Sequence, residues 1–350
     1  MEGEHPYLTL ILPIRNEFQF LSKALSSIIN QKFPVNNFEI IISDGGSTDG
    51  TLEIINSIIQ DNSNVYLIDN PQKIVSTGFN LALNKAKGDI IIRVDGHCEI
   101  SPDYLEKCSN LLKNGDADIV GGVIETISSG LIGNAISIAQ SSLFGVGGVK
   151  FRNKDLKEAG NVDTLAFGAH RREIFSDIGG YDEEMICNQD DEFNHRALQA
   201  GKKIWMDPTI KTKYYSRSNY LKLFKQYFNY GFYKVRGIQK RGQLFSIRHI
   251  IPSIFIVTLI ITLIIGFFLQ LPLIAFSVVF LYLVFNLSAS IYSGVSIREF
   301  PLIFLAFWIL HLGYGLGFIW GLIRLFNKWN DTELKDFNFN RKQFCANNPK

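Results

Sequence analysis

From residue 7 to residue 94, short runs of apolar and β-branched residues alternate with stretches of helical spacing. Tyr7–Leu12 reads as a strand closed by Pro13, and Phe38–Ile42 and Val65–Ile68 read as two more. Between them, Phe18–Asn30 sets Phe20, Leu21, Ala24, Leu25 and Ile28 at helical spacing. Thr51–Ile59 does the same with Leu52, Ile54, Ile55, Ile58 and Ile59, and Gly78–Ala86 predicts a third helix. Asp89–Val94 predicts a fourth strand. Strands alternating with helices of this length predict an α/β fold with a mostly parallel sheet and right-handed crossovers.

The polar residues collect where such a sheet binds ligands, beyond the carboxyl ends of its strands. Strand one runs into Pro13-Ile14-Arg15-Asn16-Glu17, strand two into SDGGSTDGT (43–51), and strand four into Asp95-Gly96-His97. Asp95 and His97 lie two apart, so in an extended segment both side chains point the same way. A carboxylate and an imidazole so placed can share a Mg²⁺ or Mn²⁺ ion with phosphate oxygens. The alternative is a polar turn, with Gly96 supplying the bend. In SDGGSTDGT, Gly45 and Gly46 permit a tight turn, and Ser47, Thr48 or Asp49 can cap the next helix. An ordinary strand-to-helix loop explains those residues but does not require Asp44.

The pattern changes after residue 210. Lys211 to Gln243 is basic and aromatic, with Leu221, Phe224, Phe228, Phe232 and Val235 near one helical face. That composition suits a helix lying on an anionic membrane surface; the alternative is a surface helix packed on the domain. Ile250–Leu269, Pro272–Tyr292 and Leu302–Phe326 are each long and apolar enough to span a bilayer. The short Gln270-Leu271-Pro272 connection predicts a tight hairpin of the first two. His311 lies inside the third and is either functional or packed on another helix. Gly313, Gly315, Gly317 and Gly321 favour close helix packing. The expected organisation is a catalytic domain over 1–215, a basic interfacial segment over 216–249, an integral region over 250–326 and a polar tail over 327–350. The basic flank before Ile250 places the first domain in the cytosol. Three spans would then put the tail outside, while its Lys328, Lys335, Arg341 and Lys342 argue for the inside.

Bulk charge adds little. The 350 residues carry a net charge of only +2, which makes no case for nucleic acid. From Pro208 to Arg298, however, there is no Asp or Glu, while basic residues run from Lys211 and Lys213 through Arg217 to Arg248. Cys98, Cys108, Cys187 and Cys345 are scattered without a C-x-x-C pair, as in a reducing compartment. The opening MEGEHPYLTLILP lacks a secretory leader pattern.

ILPIRNE, then SDGGSTDGT, then GDIIIRVDGH, in this order and spacing, resemble the catalytic domain of glycosyltransferase family 2. FGAHRREIFSDIGGYDEEM (167–185) resembles its acceptor-side segment, and NQDDEFNHRALQAGKKIW (188–205) the segment that carries its catalytic base. The resemblance covers about residues 7 to 215, and is nearest to membrane-anchored members that extend bacterial exopolysaccharides. It implies a GT-A fold, Rossmann-like, followed by transmembrane helices. It implies Pro13, Asn16, Glu17, Asp44 and Asp95 at the nucleotide-sugar, with Asp44 accepting a hydrogen bond from uracil. Asp95 and His97 fill the usual Asp-x-Asp metal motif, His97 replacing the second Asp, which implies Mg²⁺ or Mn²⁺. Asp190 holds the position of the base; Gln189 stands where the family has Glu, and Asp191 is either a substitute or a first-turn acid. Gly168, Ala169, His170, Gln189 and Asp191 fall on the acceptor side. Gln226-Tyr227-Phe228-Asn229-Tyr230 resembles the family's Gln-x-x-Arg-Trp acceptor motif, with Gln226 retained.

The function implied is inverting transfer of a sugar from a nucleotide-diphospho-sugar, of the UDP-hexose kind, to a lipid-linked saccharide in polysaccharide synthesis. The enzyme would be a multi-pass protein of the cell membrane, in contact with its lipids. A polyprenyl-phosphate sugar transferase and a processive synthase are alternatives within the class. A catalytically silent membrane scaffold is the alternative outside it, and Gln189 and His97 are the residues that permit it.

Overall fold

A computed structural model describes residues 7–347 except 116, 154, 217–218 and 243–246. Arg217 and the first six residues, on which part of the leader reading rests, lie outside the described residues. The chain forms two compact units: residues 1–125, 150–215 and 334–350, and residues 126–149 and 216–333.

Unit 1 opens with β1 (Leu8–Ile14), α1 (Phe18–Ile29), β2 (Phe38–Asp44), α2 (Thr51–Asp61), β3 (Val65–Asp69), α3 (Val75–Leu83) and β4 (Ile90–Arg93). β5 (Cys98–Ile100), α4 (Tyr104–Asn114) and β6 (Ile119–Ile127) follow. The strand run to residue 127 leads into α5 (Gly130–Ser141) and α6 (Leu143–Val146) of unit 2. Unit 1 resumes with β7 (Gly160–Asn161), β8 (Ala169–Arg171), α7 (Arg172–Ile178), α8 (Gln189–Gln199) and β9 (Ile204–Tyr215).

Among the described residues, the strands form one sheet in the order β3-β2-β1-β4-β8-β6-β9-β5, with β7 on β9. β3, β2, β1 and β4 pair in parallel, the part that the strand–helix alternation predicts. β8 turns antiparallel on β4, and β6 antiparallel on β8, so the sheet is mixed. Both faces are covered, which is why the first strands are apolar throughout. Leu8, Leu10 and Leu12 enter one core with Leu21 and Leu25 of α1; Ile11 points the other way, into a core with Phe79, Phe175 and Phe193. Phe339 and Phe344, from α13 (Arg341–Ala346) and its approach, complete that second core. Arg172 donates to the Phe344 carbonyl and stacks on its ring, with the guanidinium carbon 3.8 Å from the centroid. The chain's last described segment is therefore built into unit 1.

Unit 2 holds α9 (Tyr220–Arg241), α10 (Ile251–Phe268), α11 (Leu273–Tyr292) and α12 (Phe300–Arg324). α9 packs along α12 through glycines: a Cβ on Gly317 would stand 2.0 Å from the Phe228 carbonyl oxygen, and one on Gly231 would stand 2.1 Å from that of Tyr314. Close backbone approach, which only glycine allows, fixes this pair. His311 is a packing residue. Its Nδ1 is 2.9 Å from the Tyr282 hydroxyl and its Nε2 2.9 Å from the Phe144 carbonyl. Lys234, Arg236 and Lys240 of α9 are buried rather than facing solvent. Arg236 binds Asp331 at 2.9 Å, and Lys240 donates to the Glu333 carbonyl.

Candidate active site

The site lies in unit 1, at the carboxyl ends of β1, β2 and β4. The loops after β1 and β2 are sewn together. The Asn16 amide donates to Ser47 Oγ (2.8 Å), the Glu17 amide to Thr51 Oγ1 (2.9 Å), and the Thr48 amide back to Asn16 Oδ1 (2.9 Å). Asn16 holds a left-handed φ of 55°, uncommon for a side-chain-bearing residue and tolerated best by Asn. Asp44 organises its own loop. Its carboxylate accepts from the Gly46 and Ser47 amides, both at 2.9 Å, and from Ser47 Oγ at 2.5 Å. Pro13 is a buried member of β1, in register with Ser43.

β4 delivers Arg93, Asp95 and His97 in sequence. Gly96 lets the loop close on α1, since a Cβ there would lie 2.9 Å from Glu17 Cγ. Glu17 Oε1 stands 2.8 Å from His97 Nδ1. With the Nδ1 proton donated to Glu17, the lone pair of the ring rests on Nε2. Arg93 grips Asp95 through two nitrogens, Nε to Oδ1 at 3.0 Å and Nη2 to Oδ2 at 3.2 Å.

Arg93 also reaches beyond Asp95 to Tyr181. Its guanidinium lies 5.9 Å from the Tyr181 ring centroid and is hydrogen-bonded to that residue. Burial works against its charge, but Asp95, then Tyr181 and Asp190 outweigh it and hold the cation firmly charged. Asp190, half-buried in the first turn of α8, is affected in the opposite sense. Burial pushes its carboxyl above the ordinary value, Arg93 draws it down, and Asp191 and Asp95 push it up. Burial likewise raises the Tyr181 phenol to about 12, so Tyr181 stays a neutral donor. Asp190 Oδ1 accepts the Asp191 amide at 3.0 Å. Gln189 is 5% exposed, and its Oε1 has no partner among the described residues.

Four sequence candidates are engaged in other ways. Gly168 immediately precedes β8, whose Ala169 and His170 are inner positions of the sheet. His170 is 3% exposed, packed on Phe175 and Phe193, and burial lowers its imidazole to about 4, so it is a neutral core residue. Gln226 belongs to unit 2, where its amide donates to the Tyr230 hydroxyl at 2.9 Å.

A family model for glycosyl transferase family 2 matches residues 9–179. The succinoglycan biosynthesis protein ExoA of Rhizobium meliloti is 32% identical over 249 residues, 69% of this chain and 73% of that protein. The chain belongs to glycosyltransferase family 2. A second relative of this glycosyltransferase comes from Methanococcus voltae: dolichyl N-acetyl-alpha-D-glucosaminyl phosphate 3-beta-D-2,3-diacetamido-2,3-dideoxy-beta-D-glucuronosyltransferase. It is 27% identical over 91% of this chain and 98% of its own length. The mannosyltransferase PcManGT from Pyrobaculum calidifontis, solved with GDP-Man and Mn²⁺, superposes with a TM-score of 0.54. The identity is 16%, over 99% of this chain and 86% of that one. That likeness shows the fold, GT-A, with its parallel half and antiparallel extension.

Two residues that the structure sets beside the candidate site are missing from the sequence candidates, Arg93 and Tyr181. Arg93 had a signal: a charge ending an otherwise apolar strand, two residues before Asp95 and hence on its face. Tyr181 had none, because only the fold brings the Gly179–Tyr181 turn to β4.

Proposed function

We propose that this glycosyltransferase moves a hexose from a nucleotide-diphospho-sugar, of the UDP type, to a membrane-associated, lipid-linked saccharide with inversion at the anomeric carbon. The product belongs to polysaccharide or glycolipid synthesis, as with the succinoglycan and dolichyl-linked relatives. The observation that carries the reading is one buried cation, Arg93, paired with Asp95 at 2.9 Å and close enough to Asp190 to draw its carboxyl down. Asp95 and His97 face the donor diphosphate, and Asp190 takes the proton of the acceptor hydroxyl as it attacks. Gln189 Oε1, buried and unpartnered beside Asp190, accepts a second acceptor hydroxyl. Asn16, Glu17 and the Asp44 loop form the wall for the nucleotide.

Asp95 and His97 fit a divalent cation. Among the described residues, no cluster of three or more His, Cys, Asp or Glu forms a closed cage. Mg²⁺ and Mn²⁺ suit such an open set, completing their shells with phosphate oxygens and water. The chemistry such an ion supplies is neutralisation of charge on the leaving diphosphate. Glu17 orients His97 for it. Glu17→Gln is expected to weaken Mn²⁺ binding in the presence of UDP by about 10–100-fold, read by electron paramagnetic resonance of free Mn²⁺. Unchanged binding in both Glu17→Gln and His97→Ala would remove the pair from the metal site.

The reading as a whole is tested with the purified full chain, a panel of labelled nucleotide-sugars and lipid extracts, with products identified by mass spectrometry. One donor is expected to give a lipid-extractable glycoside of inverted configuration. No transfer and no donor hydrolysis with any nucleotide-sugar and Mn²⁺ would favour the silent scaffold.

A further inference from the structure

Unit 2 exposes more apolar surface than water tolerates. Phe267, Phe268, Leu273, Phe276 and Phe285 of α10 and α11 are each more than half exposed. By length and composition, Ile251–Phe268 and Phe300–Arg324 could each cross a membrane, and Phe276–Tyr292 is a shorter apolar helix. Which of them crosses is decided by the direction of the chain.

α9 and α12 run parallel. A Cβ on Gly313 would meet the Phe224 carbonyl oxygen at 3.1 Å, one on Gly317 that of Phe228 at 2.0 Å, and one on Gly321 that of Phe232 at 2.9 Å. Each four-residue step along α12 is matched by four residues along α9, in the same direction. The pairing continues past the helix end: Gln239 donates to the Leu325 carbonyl at 2.8 Å, and Arg236 and Lys240 hold Asp331 and Glu333. The chain therefore enters unit 2 at one end of this pair and leaves at the other, about 33 Å away for a helix of 22 residues. Tyr215, before α9, and Leu334, directly after Glu333, both belong to unit 1. A folded unit occupies one side of a bilayer. Helices whose opposite ends are both joined to it within a few residues cannot traverse a hydrocarbon layer of about 30 Å.

We propose that α12, despite its apolarity, lies with α9 in the plane of the membrane interface, and that the α10–α11 hairpin is the part inserted in the bilayer. This rests on the reading that unit 2 is embedded in a membrane. The partner is the bilayer itself. Half of the apolar stretch of α12 is buried within the protein, and its exposed Leu316, Trp320 and Ile323 meet acyl chains at shallow depth. The exposed Lys222 and Lys225 of α9 meet anionic headgroups. At the hairpin turn the backbone is satisfied internally, the Leu269 amide by the Ile265 carbonyl and the Leu271 amide by that of Gly266, as burial in lipid requires. The hairpin leaves and re-enters on one side, so both flanks of α12 share a compartment with the catalytic unit.

The test labels single cysteines with a membrane-impermeant maleimide in sealed vesicles of each orientation. Arg298→Cys and Thr332→Cys, placed singly in a Cys187→Ser, Cys345→Ser background, flank α12. Both are expected to react from the face that carries the catalytic unit and to be protected from the other. Reaction from opposite faces would show that α12 crosses and overturn the proposal. In the unaltered protein, the exposed Cys345 reports the same end. Its labelling from the face opposite the catalytic unit would overturn the proposal as well, without relying on any variant. Release of the unaltered protein by alkaline carbonate would instead refute the membrane reading beneath it.

Discussion

Asp190→Asn is expected to abolish nearly all sugar transfer while nucleotide binding persists. In the proposed mechanism this carboxyl takes the acceptor proton, and Arg93, which pairs with Asp95, acts on it as well. Loss of a general base costs on the order of 10² to 10⁴ in rate. Binding of UDP, measured by calorimetry, should stay near that of the unaltered enzyme, because the base acts on the acceptor. The fold should tolerate the change. Burial already favours the uncharged form of Asp190, so its ionisation opposes folding at neutral pH, and the neutral amide removes that opposition. Asp191→Asn should be far milder. Adjacent helical side chains point about 100° apart, and Asp191 serves the first turn of α8. A dead Asp191→Asn beside an active Asp190→Asn would shift the base by one residue. Two active variants would refute the inverting mechanism.

Arg93→Met is expected to damage both stability and catalysis. Asp95 would lose its paired hydrogen bonds in a site where its own side chain is 17% exposed. Breaking one side of a buried ion pair costs roughly 3–5 kcal/mol, which a thermal melt would register. The pH profile separates charge from packing. A raised carboxyl is protonated over a wider acid range, so transfer is present above its titration and lost as pH falls through it. Removing Arg93, which draws Asp190 down against Asp191 and Asp95, moves that acid limb further up. Arg93→Lys keeps the charge but not the planar fork. It should hold the limb in place while lowering kcat/KM for the donor through a looser Asp95. An Arg93→Met enzyme with unaltered melting and an unaltered acid limb would show that the cation does not couple the two carboxylates.

Much of unit 1 was legible in the order of residues. Strands buried on both faces leave continuous apolar runs, and β1, β2 and β4 fall within one or two residues of where those runs place them. The loops that end them announced themselves by glycines and acids, and Asn16, Glu17, Asp44, Asp95 and His97 do meet at one end of the sheet. Their partnerships were not legible. Glu17 holds His97 across 80 residues, and the Asn16 amide reaches Ser47 across 31, because both depend on contacts between segments far apart in the chain. His170 was misleading for the same reason. An imidazole near acceptor-like residues reads as functional, yet strand pairing with Ile91 turns it into the core.

Local periodicity depends only on neighbouring residues, so the sequence by itself determined the strand–helix alternation, the apolar helices and the family motifs. Long-range closure belonged to the tertiary structure. It decided that Arg93 pairs with Asp95, lies beside Tyr181 and acts on the Asp190 carboxyl. It decided that the last segment returns to the catalytic unit through Phe339 and Phe344. It also decided that glycines on α12 admit α9 alongside it. An apolar helix carries the same composition whether it crosses a bilayer or lies along it. Only where its two ends are tied distinguishes them, and that is a property of the folded chain.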